Sequence, residues 1–78
     1  MLLVFNRDGG GILAVHAHDV QRVERREIAD SREGAPRDAK TARVYVRLAS
    51  DDQEYKLAAN VSAEEVVERV NAELGRKG

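Results

Sequence analysis

The chain has no cysteine and no tryptophan, one proline, one methionine, and Phe5, Tyr45 and Tyr55 as its aromatic residues. Without cysteine there is neither a disulfide framework nor a thiolate metal site, so apolar burial must hold the fold. That composition fits a reducing cytoplasm. Charge of one sign is not in excess either. Thirteen basic and fourteen acidic residues leave a net charge of −1, so no global field draws polyanions. No apolar run approaches the ~20 residues that cross a bilayer. The opening Leu2-Leu3-Val4-Phe5 is too short for the apolar region of a signal peptide and reads as a strand. A cytoplasmic protein with no membrane contact is therefore expected. Arginine outnumbers lysine ten to three, and alanine is frequent, which points to a GC-rich, bacterial genome.

What is present describes one small domain. Seventy-eight residues, 1–78, form a single unit that buries a limited share of its surface. Leu2 to Asn6 and Ile12 to His16 are apolar runs flanking Arg7-Asp8-Gly9-Gly10-Gly11, which reads as a β-hairpin. Neither run alternates cleanly, so both faces of these strands are apolar enough to need cover. Ala17 to Ile28 is ambiguous. A tight turn at Ala17-His18-Asp19 followed by a charged strand, Val20 to Ile28, is favoured. The alternative is an amphipathic helix, since Val20 and Val23 are three apart. Residues 29–41 lack apolar periodicity, contain Pro36, and read as a mobile loop.

Arg43 to Ala49 and Glu54 to Asn60 both alternate. A hairpin centred on Asp51-Asp52 would pair Leu48 with Tyr55, Val46 with Leu57 and Val44 with Ala59, putting every apolar side chain on one face. From Ser62 to Leu74 a helix is expected. Ser62 is its N-cap, Glu65 completes a capping box, and Val61 with Val66 makes a hydrophobic staple. Ala63, Val66, Val67, Val70 and Leu74 form the stripe. Gly75 suits the position after the helix, with Arg76 and Lys77 near its negative end. The expected class is α+β: a small, mostly antiparallel, curved sheet of about five strands in the order β-β-β-loop-β-β-α, covered on one face by that helix.

Three groups of residues bear on chemistry. His16 and His18, if both lie on a strand, share a face and could reach one metal ion. A third ligand is not evident, so no metal site and no cofactor is assigned. The three glycines lack the Lys-Ser/Thr of a phosphate loop and read as a turn. Arg43, Tyr45, Arg47 and Lys56 would cluster on the outer face of the last hairpin, with Arg47 opposite Lys56. A basic face with an aromatic suits single-stranded nucleic acid or a phosphate group. The bland reading is a solvated face whose charges meet acids from elsewhere in the chain. No serine-histidine-acid ordering and no distinctive carboxylate pair is present, so an enzyme is not expected.

The alternating hairpin followed by Ser62-x-Glu64-Glu65-Val66-Val67 and a closing helix resembles the end of pleckstrin-homology-like domains. Asp19-Val20-x-x-Val23-Glu24 together with that ending is similar to small flagellar-operon proteins. These likenesses span about half the chain. They imply a helix closing a bent sheet, and no function is carried over from either. The leading expectation is a small non-enzymatic interaction module that forms a homodimer, because one helix covers one face and the apolar strands have two. Nucleic-acid or phosphate binding through Arg43, Tyr45, Arg47 and Lys56, and metal binding at His16 and His18, are the alternatives.

Overall fold

The computed structural model describes residues 2–30 and 32–75. Its elements are β1 (Leu2–Asn6), β2 (Ile12–His16), a single 3-10 turn (Ala17–Asp19), β3 (Val20–Ala29), β4 (Lys40–Leu48), β5 (Glu54–Lys56) and α1 (Ala63–Leu74). The class is α+β and the element order is the expected one. The five strands form two antiparallel sheets, β1-β2 and β3-β4-β5. The sheets meet where Arg7 bridges Leu57. There the Ala58 N–H donates to the Asn6 carbonyl at 2.9 Å and the Asp8 N–H to the Lys56 carbonyl at 3.1 Å.

The first hairpin turns through Arg7 to Gly11, closed by the Arg7 N–H on the Gly11 carbonyl at 3.1 Å. Gly9, Gly10 and Gly11 all have positive φ (84°, 107° and 81°), a run that residues with a Cβ do not sustain. β1 and β2 then alternate strictly. Leu3, Phe5, Leu13 and Val15 are buried, and their neighbours are exposed.

The ambiguous stretch is a 3-10 turn followed by a strand. The spacing of Val20 and Val23 is explained by a β-bulge. Val20 stands opposite Leu48 but Arg22 opposite Arg47, so Gln21 is an extra residue on β3. The bulge resets the alternation, and Val20 and Val23 both pack against the core. Ile28 then falls with Arg22, Glu24 and Arg26 on the other face. The strands also run further into the expected loop. Ala29 pairs with Lys40, and the Asp30 N–H donates to the Ala39 carbonyl at 2.9 Å, which leaves residues 30–39 as the connection.

The β4-β5 hairpin differs from the expected register by two residues. Tyr45 faces Lys56, Val46 faces Tyr55 and Arg47 faces Glu54. The cause is the turn. The Asp52 N–H bonds back to the Leu48 carbonyl at 2.9 Å, and Asp52 adopts φ 55°, so residues 49–52 make a four-residue helical loop. Aspartate tolerates that left-handed conformation better than most side chains. A two-residue slip preserves which side chains share a face, so Val44, Val46 and Leu57 still enter the core. It removes the like-charge opposition of Arg47 and Lys56.

The last helix starts at the expected residue, but only the Ser62 half of the capping box forms, and the Glu65 carboxylate lies 3.9 Å from Arg69 instead. Ser62 is extended (φ −96°, ψ 156°) and its hydroxyl accepts the Glu65 N–H at 3.0 Å. Val61 and Val66 are both buried, as a staple requires. The stripe is narrower than expected. Val66 and Val70 are buried and Ala63 packs on the core, but Val67 and Leu74 remain nearly half exposed. Gly75 keeps right-handed backbone (φ −79°) instead of a left-handed cap, and its N–H donates to the Asn71 carbonyl. Arg76 and Lys77 lie outside the described residues. All the buried apolar side chains form one cluster drawn from both sheets and the helix, with Leu57, Val46 and Val66 most deeply enclosed.

Replacing Ser62 by Ala leaves the Glu65 N–H without its partner. We expect a loss of about 1 kcal/mol of unfolding free energy, with an unchanged slope, in urea denaturation followed by circular dichroism.

Candidate interaction surface

Two surfaces of different chemistry lie outside the core. The first is the outer face of β3-β4-β5, which holds Arg43, Tyr45, Arg47 and Lys56 together. Alternation along the three strands puts them beside Arg22, Glu24, Arg26 and Glu54. Each of the three cations has a carboxylate partner. Asp8, from the glycine turn, lies 3.1 Å from Lys56 Nζ and 3.5 Å from Arg43 Nε. Arg47 reaches Asp52 at 2.5 Å and donates to Gln21 Oε1 at 3.1 Å. Tyr45 is covered by the Arg26 guanidinium, 4.5 Å from its ring centroid. Arg26 is held in turn by Glu24 and by Glu54, the latter at 2.5 Å. Arg22 bonds Glu24 from the other side. This face is a mixed-charge network, so a polyanion would have to displace internal carboxylates to reach its cations.

The network sets the ionisation of its acids. The hydrogen bond from Lys56, aided by the charges of Lys56 and Arg43, holds the Asp8 carboxyl below the ordinary aspartate range despite partial desolvation. The hydrogen bond from Arg26 does the same for Glu24. Glu54 and Glu24 together raise the Arg26 guanidinium further above its already high value. Arg43 is the most enclosed member. Its side chain is 15% exposed, one guanidinium nitrogen donates to Thr41 Oγ1 and the Ala42 carbonyl at 2.9 Å, and its buried Nε has no hydrogen-bond partner.

The second surface is apolar and in two parts. The outer side of the first hairpin presents Leu2 (49% exposed), Val4 (43%) and Ile12 (60%), with Ala14 directly opposite Val4. The flank of α1 presents Val67 (44%) and Leu74 (46%). These two line a groove of about 340 Å³ together with Val70 of the same helix and Val20 and Val23 of β3. Among the described residues these are the large apolar side chains left exposed, and they fall on these two surfaces.

The histidines are not arranged as one strand face would arrange them. His16 ends β2, whereas His18 sits inside the 3-10 turn, where residues two apart point in different directions. Among the described residues no three His, Cys, Asp or Glu side chains are grouped to hold a metal ion. Among them also, no helix is long and apolar enough to cross a membrane. Asp8, Asp52 and Glu54, with Arg22, Glu24 and Arg26 of β3, complete the charge network, and none of them stood among the candidates read from the sequence. Asp8 is 35 residues before Arg43, and no local pattern signals so distant a pairing. No family model matches the chain, and no curated protein or solved structure was found to match it.

A carboxyl whose pKa is lower folded than unfolded stabilises the fold above its unfolded pKa and loses that contribution as the pH falls through the folded value. For Asp8 and Glu24 this places the loss below about pH 4. Urea midpoints measured between pH 2 and 7 should therefore fall on the acid side. Asp8→Asn should flatten that limb and lower the plateau at neutral pH, because Lys56 and Arg43 lose the carboxylate charge that pairs with them.

Proposed function

We propose that the protein is a non-enzymatic interaction module that works as a homodimer. The observation that carries this reading is the exposure of Leu2, Val4, Ile12, Val67 and Leu74, grouped on two surfaces instead of scattered. The same strands supply the core through their other faces, so these side chains are not left over from a poorly patterned sequence. Both faces of the first hairpin are apolar, and the chain covers one of them. A second copy is the partner always present at matching concentration, and self-complementary apolar surfaces favour twofold assembly. The cysteine-free, arginine- and alanine-rich composition supports a bacterial cytoplasm as the setting.

Sedimentation equilibrium at high micromolar concentration should give an associated species, with a weight-average mass above the 8.6 kDa monomer. A single monomeric species across that range overturns the reading.

A further inference from the structure

β3 ends its sheet, and among the described residues no strand pairs with its outer edge. Which backbone groups face that edge follows from the ladder with β4. The Asp30 N–H bonds the Ala39 carbonyl, so the hydrogen-bonded residues of this ladder on β3 are Arg22, Glu24, Arg26 and Ile28. Val23, Arg25, Glu27 and Ala29 turn their N–H and C=O groups outward instead. That is an unpaired row long enough to template another strand. The side chains of the same four residues share the inner face, where Val23 packs on the core. Arg25 and Glu27 are exposed there, and neither has an ion pair or side-chain hydrogen bond among the described residues.

Charges on an edge strand ordinarily prevent sheet extension. Here they are opposite in sign and two residues apart, so one register converts them into attraction. We propose that two copies of this chain pair β3 with β3, antiparallel about a twofold axis at Arg26, to make one six-stranded sheet. The inference rests on the self-association reading above and names its interface.

A twofold pair of identical antiparallel strands keeps inner residues opposite inner residues, which leaves few registers. With the axis at Arg26, Arg25 stands opposite the partner's Glu27, and Val23 opposite the partner's Ala29. Each opposition occurs twice, and the outward backbone row is fully paired. With the axis at Arg25, that residue opposes itself and Val23 meets a glutamate. With the axis at Glu27, two glutamates meet. This axis also sets Arg26 opposite the partner's Arg26, but on the outer face, where each guanidinium is already neutralised between Glu24 and Glu54 and lies over Tyr45. Leu2, Val4 and Ile12 stay outside this interface.

The test is a charge exchange in the full chain, read by sedimentation equilibrium at low salt with folding checked by circular dichroism. Arg25→Glu and Glu27→Arg should each weaken the dimer on the order of 10-fold or more, because each turns two attractions into repulsions. The double variant should restore the dissociation constant to within about 3-fold, since it rebuilds the pairs in reverse. In the wild type, the amides of Val23, Arg25, Glu27 and Ala29 should gain exchange protection as concentration rises. Single reversals without effect, a double variant that does not recover, or those four amides staying unprotected overturns the interface. Association that ignores these changes but is lost in Val4→Lys/Ile12→Lys overturns it too, and leaves self-association standing. A wild type that never associates removes both.

Discussion

Where β5 ends, the backbone changes partners. The Leu57 N–H donates to the Val44 carbonyl at 2.9 Å, and one residue later the Ala58 N–H donates to Asn6. Neither sheet is an independent unit, since two strands alone are marginal in water and β5 is three residues long. The junction makes them one curved body around a shared core. Leu57 is completely buried at that point. The same exchange brings the glycine turn against Lys56 and so delivers Asp8 to the outer face of the other sheet. Core and charge network therefore depend on the same few backbone bonds.

A second tether works at the opposite end. The Asp19 carboxylate accepts from Ser50 N–H and Ser50 Oγ at 2.9 and 2.6 Å, while its carbonyl accepts the Ala49 N–H at 2.8 Å. This ties the 3-10 turn to the β4-β5 loop. Between these ties β3 leaves the core, and beyond Val23 its inner face passes from apolar to charged. One strand thus serves two ends. Its first half closes the core beside the helix, and its second half forms an arm with an open edge.

Element types were readable because each rests on local spacing. Ser62, Glu65, Val61 and Val66 mark a helix start through contacts within five residues. The alternation of Val44, Val46 and Leu48 marks a strand by itself. The β4-β5 register was readable only in its parity. Period-two patterning places side chains on faces and is blind to a two-residue slip, which the helical loop ending at Asp52 decided. Val20 and Val23 hinted at a helix because a bulge imitates helical spacing, and nothing local distinguishes the two. The candidate site shows the same division. Arg43, Tyr45, Arg47 and Lys56 share a face by parity. Their neutralisation by Asp8, Glu24, Glu54 and Asp52 required knowing how the turns and strands meet.

By itself the amino-acid sequence determined the class, the order of elements, the helix N-terminus and the two-faced apolar character of the first hairpin. Each follows from periodicity or from capping between near neighbours. Tertiary structure alone decided the division into two joined sheets, the bulge at Gln21, the exposure of Val67 and Leu74, and the pairing of every candidate cation. These depend on which distant segments share space, and short-range preference carries no information about that. The free edge of β3 belongs to this second group, because a strand becomes an edge only when the other strands have taken their places.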